Sequence, residues 1–154
     1  MYSIVERAER RGRHGFTLVE LLVVIVVLAV LAAIVLPKFM NATRRSKESA
    51  MRSDIKLLRN AVSLFNADTG AYPKALTDLS STITPTDATA NGLDSTGADQ
   101  AYLPADWHGP YIQDLSKDPI SGNDYTYSTA SGSVGKVTSS AAGNGLDGTA
   151  FSTW

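Results

Sequence analysis

Few side chains in this sequence have the types and spacing that covalent chemistry needs. There are two histidines, His14 and His108, and no cysteine. The missing thiols exclude disulfides, thiolate metal sites and a cysteine nucleophile together. His108, beside Trp107, could act as a ligand or a base, but a lone histidine in such a place is more often a surface or packing residue. The sequence carries no Ser/His/Asp arrangement, phosphate-binding loop or metal-ligand spacing. Its serines and aspartates sit among turn-formers, where local hydrogen bonding accounts for them. One charge stands apart: Glu20 is the only non-apolar residue between Leu18 and Leu36.

The run holding Glu20 has the length of a helix crossing a hydrocarbon core of about 30 Å. A secretory signal peptide is the alternative. Its apolar region is normally about 7–15 residues and ends at a small-residue cleavage site, whereas this run is longer and ends at Pro37 with no A-x-A nearby. Arg7, Arg10, Arg11 and Arg13 precede it, and Lys38, Arg44, Arg45 and Lys47 follow it. The positive-inside rule therefore leaves the orientation open. With 154 residues, 19% of them charged and a net charge of −1, the chain has room for one membrane segment and one small domain. The charge balance argues against nucleic-acid binding, which normally needs a basic excess.

Beyond Pro37 the pattern turns amphipathic. Met51, Ile55, Leu58, Val62 and Phe65 alternate four- and three-residue steps and form one apolar stripe, with most charged residues on other faces. Gly70 is the expected stop. Thr17 to about Asp68 thus reads as one long helix, kinked but not ended by Pro37, spanning on the order of 75 Å. Lys74–Ser80 is expected to add a short helix, and Ser81–Ala101 reads as a loop rich in Thr, Ala, Asp and Gly. Tyr125 and Tyr127 alternate with Thr126 and Ser128 as in a half-buried strand. Ser131-Gly132 can turn the chain into a second strand near Val134–Thr138. The fold class is α+β, a long N-terminal helix carrying a small antiparallel sheet. A cysteine-free head of this size needs a long helix, a metal ion or neighbouring subunits to hold it.

The stretch G-F-T-L-V-E-L-L, Gly15 to Leu22, resembles the class III signal of type IV pilins and type II secretion pseudopilins. The resemblance implies a pilin-like fold and a dedicated membrane peptidase that cuts between Gly15 and Phe16 and methylates the new amine of Phe16. It also implies an order along the chain: a leader over 1–15, a transmembrane and filament-core helix over 16–37, an amphipathic helix over 38–68, and a head over 69–154. Glu20 matches the family's glutamate and Pro37 its helix-kinking proline. The leader would lie in the cytoplasm and the head outside the inner membrane, with lipid as the helix's surroundings before assembly. An acid near a helix centre costs about 2.5–3.5 kcal/mol on insertion scales, and less near an end. A freed Phe16 ammonium about 4 Å from Glu20 would return roughly 4 kcal/mol at an effective dielectric near 20, before desolvation. The resemblance implies that the partner is the neighbouring subunit's ammonium; within one helix the two groups are also about a turn apart. The other reading of Glu20 is a carboxylate that snorkels to the interface or is protonated.

Asn60 to Pro73, with Gly109 to Tyr127, resembles the major pseudopilins of type II secretion, and Ser81–Asp106 is the clearest gap in that likeness. This second resemblance implies a homopolymer served by prepilin peptidase, an inner-membrane assembly platform with its ATPase, and minor pseudopilins. Major pseudopilins also have a C-terminal loop that binds calcium. The matching region is Ser139–Gly148, where Asp147, Asn144 and backbone carbonyls, with Asp124, would begin to supply the six to eight oxygens calcium takes. The alternative is that Asn144-Gly145 and Asp147-Gly148 are turn dipeptides. Tyr102, Trp107, Tyr111, Tyr125 and Tyr127 are read as core, with an adhesive surface as the alternative. A surface pilus for adhesion, motility or DNA uptake remains the alternative filament. A membrane-anchored enzyme or binding module is the alternative of another class.

Overall fold

The computed structural model describes residues 15–83 and 92–154. The leader before Gly15, with Arg7, Arg10, Arg11, Arg13 and His14, lies outside the described residues, as does 84–91 of the Thr-rich loop. One α-helix, α1, runs from Leu18 to Thr69 and passes through Pro37. Its ends fall within one residue of the expectation because both carry local stop signals. At the C-terminal end Gly70 takes φ 72°, which only glycine adopts without strain, and its N–H bonds the Asn66 carbonyl at 2.9 Å. The Thr69 hydroxyl reinforces this stop, donating to the Phe65 carbonyl at 2.7 Å and accepting from the Ala71 amide at 3.2 Å.

Two compact units meet inside α1, the first ending at Asn41 and the second comprising Ala42–Trp154. In the first, every large apolar side chain from Leu18 to Leu36 is exposed. This is the one helix among the described residues long and apolar enough to cross a membrane. A helix apolar on all sides must be covered by lipid or by other helices.

The second unit is built on the stripe that the spacing predicts. Met51, Ile55, Leu58, Val62 and Phe65 are all buried, joined by Ala61 one turn from Leu58. Each of the five larger side chains contributes about 1.5–3 kcal/mol by leaving water. Against them pack Leu76 and Leu79 of a 3₁₀ turn at Leu76–Ser80, then Tyr102, Ile112, Tyr125, Val137 and Phe151. Tyr102 and Tyr125 are core residues, and Trp107, Tyr111 and Tyr127 are half-buried around them. Phe65 is the hub, meeting the Tyr102 ring edge-on at 5.6 Å and the Tyr111 ring at 5.4 Å.

The sheet is two short antiparallel ribbons. β1 (Gly92–Leu93) pairs with β2 (Asp99–Gln100), and β3 (Thr126–Tyr127) with β4 (Val137–Thr138). The second ribbon is the expected one, turned through 130–133 by a Ser133 amide to Ala130 carbonyl bond of 3.0 Å. The first corrects the reading of Ser81–Ala101 as loop throughout. It is made by a local turn: one Asp94 oxygen accepts from the Thr96 amide at 2.8 Å, the Thr96 hydroxyl at 2.6 Å and the Ala98 amide at 2.9 Å. Leu93 then bridges to Tyr72, with 2.8 Å bonds in both directions.

Candidate functional site

Two regions hold the residues singled out in the sequence, one in each unit. At the start of α1, Gly15 and Phe16 are exposed and non-helical. Thr17 is the cap. The Thr17 amide and hydroxyl both donate to Glu20 Oε2, at 2.9 and 3.0 Å, and the Glu20 amide donates back to the Thr17 hydroxyl at 3.2 Å. This is a reciprocal capping box, Thr-x-x-Glu, and it was legible in T-L-V-E. Glu20 therefore has a role in the uncut chain: with Thr17 as cap it fixes where the helix begins, at Leu18, two residues beyond Phe16. A cap of this type is worth about 0.5–2 kcal/mol, which offsets part of the cost of the carboxylate. Among the described residues no Lys or Arg pairs with Glu20. Pro37 is exposed and inside the helix.

In the head, two of the residues expected to ligate calcium are engaged by arginines of α1. Asp147 Oδ1 accepts from the Thr149 amide at 2.9 Å and the Thr149 hydroxyl at 2.6 Å, the arrangement seen at Asp94 and Thr96. Its other oxygen, Oδ2, takes the Arg52 guanidinium. The Thr149 bonds first, and Arg52 after them, hold the Asp147 carboxyl down to about 2. The Asn144 carbonyl accepts from Arg44 Nη2 at 2.7 Å. Asp124, two residues before β3, is exposed and in no ion pair among the described residues. No group of three His, Asp or Glu suited to a metal ion occurs among the described residues. Calcium takes six to eight oxygens; a set with its one loop carboxylate already shared by a guanidinium does not fit it.

The residues that do organise this loop lie on α1. Glu48 is 7% exposed and accepts the Leu146 amide on both oxygens, at 3.0 and 3.1 Å. Arg44 reaches it one turn away at 3.2 Å. Most charged residues of the helix lie off the buried stripe, as its spacing predicts; Glu48 does not. Its position was legible: it precedes Met51 by three and Ile55 by seven residues, in register with the buried stripe. Arg59 donates to the Val137 carbonyl at 3.1 and 2.7 Å and to the Trp154 carbonyl. Asp54 accepts from Ser116 and Tyr125 hydroxyls, each at 3.1 Å. The long range of these contacts hid them from the sequence.

His108 sits 3.5 Å from Asp68, which also accepts the Tyr111 hydroxyl at 3.0 Å. Burial first, and then Asp68, pushes the Tyr111 phenol up to about 12. The histidine is exposed, and with Asp68 and Tyr111 it forms a surface hydrogen-bond cluster.

Residues 10–36 match the prokaryotic N-terminal methylation motif. Residues 38–151 match the family described as type II secretion system, protein G. The chain is similar to the type II secretion system core protein G of Pseudomonas aeruginosa, 34% identical over 125 residues, covering 77% of this chain and 75% of that protein. The protein of the same name in Aeromonas hydrophila is 33% identical over 142 residues, 92% and 89% of the two chains. That of Vibrio cholerae is 32% identical over 118 residues, 76% and 71%. No solved structure gives a significant match.

Proposed function

The chain belongs to the type II secretion system protein G family, and from that premise we propose that it is a structural subunit of the secretion pseudopilus. It is not an enzyme. The observation carrying this reading is the continuity of two matches on one helix. The methylation motif covers the exposed apolar part of α1, and the protein G region begins at residue 38 and takes in the amphipathic part and the head. The apolar helix anchors the subunit and the head lies outside the membrane.

Processing exposes the Phe16 amine, and polymerisation brings apolar helices together in place of lipid. Glu20, until then held by Thr17, gains the ammonium of a neighbouring copy, so the carboxylate is neutralised only in the filament. The membrane is the inner membrane, with an assembly platform, its ATPase and minor pseudopilins as partners. The relatives named above are all secretion-system core proteins, which favours the secretion filament over a surface pilus.

The test replaces Glu20 by Ala in cells carrying the whole secretion system. The variant is expected to insert and to be cut at Gly15–Phe16, yet to form no polymer and support no secretion. Normal filaments from it would refute charge pairing at Glu20.

A further inference from the structure

We propose that residues 143–154 are closed onto α1 by arginine side chains in the place of a divalent cation, so that this head folds and holds its stability without calcium. Three charged residues on successive turns of α1 each hold a different residue of the loop. Arg44 takes the Asn144 carbonyl, Glu48 the Leu146 amide, and Arg52 the Asp147 carboxylate. Steps of four residues advance about 6 Å along a helix. That is a pace an extended loop matches in about two residues, so helix and loop run as two rails with charged rungs.

Arg52 is the central rung. It shares Asp147 Oδ2 and also lies over the Trp154 ring, 3.8 Å from its centroid. Trp154 is itself fixed, edge-on to Phe151 at 4.9 Å and through its indole N–H to the Thr149 hydroxyl. Thr149 is the residue whose amide and hydroxyl occupy Asp147 Oδ1. One planar guanidinium thus answers a carboxylate and an aromatic face together, which neither a lysine nor a hydrated metal ion does in the same geometry. Gly145 is part of the design, since a Cβ there would collide with the Trp154 ring. A calcium ion at Asp147 would have to expel Arg52, because two cations on one carboxylate oxygen repel each other. It would also have to recover the Asn144 carbonyl from Arg44.

The experiment uses the mature full chain in detergent micelles, with head unfolding followed by tryptophan fluorescence. Millimolar calcium chloride and excess chelator are expected to leave the wild-type Tm unchanged, and calorimetric titration with calcium ion to show no binding. Arg52→Gln is expected to lower Tm by about 4–8 °C, and Arg52→Lys by a smaller part of that. The losses in Arg52→Gln and Asp147→Asn should fall short of additive in the double variant. A wild-type Tm that rises with calcium and drops with chelator overturns the proposal, and needs no variant to fold. An Arg52→Gln variant as stable as wild type overturns it equally.

Discussion

Asp118 offers the strongest single perturbation in the head. It is 0% exposed, yet among the described residues its carboxylate is in no ion pair. It survives burial because three donors converge on it: the Ile120 amide at 2.8 Å, the Ser121 amide at 3.2 Å and the Ser139 hydroxyl. Ser139 in turn accepts the Ala141 amide at 2.9 Å, so this cluster ties the turn after Asp118 to the chain leaving β4. Asp118→Ala leaves all three donors, two part-buried and one buried, without their acceptor. At a cost of about 1 kcal/mol or more each, the loss is about 3–5 kcal/mol. At roughly 4 °C per kcal/mol for a head of this size, Tm should fall by about 12–20 °C. Asp118→Asn keeps one carbonyl oxygen for the two amides and loses only the charged bond to Ser139, so about 1–2 kcal/mol is expected.

The same cluster sets an acid response. Burial alone would raise the Asp118 pKa, but the bonds from Ser139, Ile120 and Ser121 together outweigh it and hold the carboxyl below its usual range. A depressed folded pKa means the contribution is complete above the unfolded value near 3.9 and is lost as pH falls through the folded value. Wild-type Tm should therefore drop steeply below about pH 4, and Asp118→Asn should drop less steeply. The assay is near-UV circular dichroism of the mature chain in micelles, since Trp107 and Trp154 report the head while the apolar helix persists. An Asp118→Ala variant within about 3 °C of wild type, or Asn as damaging as Ala, would refute the reasoning.

Two further substitutions probe the packing of α1. Phe65→Ala removes the ring shared by Tyr102 and Tyr111 from a site 1% exposed and should cost about 3–5 kcal/mol, read as a lower urea midpoint at unchanged slope. Glu48→Ala removes the acceptor of the part-buried Leu146 amide and should cost about 1–2 kcal/mol, with amide exchange at Leu146 quickened far more than at Leu58.

How much of the structure the sequence disclosed depends on the range of the forces involved. α1 was readable almost to the residue because its signals are local: an apolar run interrupted only by Glu20, a three-and-four stripe, and glycine at position 70. β3 and β4 were readable from alternating tyrosines and a Ser-Gly turn. β1 and β2 were not, since two-residue strands such as Gly92–Leu93 carry no period, and only the Asp94–Thr96 turn hints at them. At the processing site the motif is plain, and the Thr17–Glu20 cap is written in the same letters as T-x-x-E. The arginine rungs were beyond reach. Arg44 and Asn144 are 100 positions apart, and no local pattern tells an arginine facing solvent from one holding a distant carbonyl.

The central claim is that this is a processed, polymerising subunit, and the mature N-terminus tests it most directly. Mass spectrometry of the protein from cells with an active prepilin peptidase should find Phe16 as the first residue, carrying one methyl group on its amine. An intact leader, or a first residue beyond Leu36, would contradict the account.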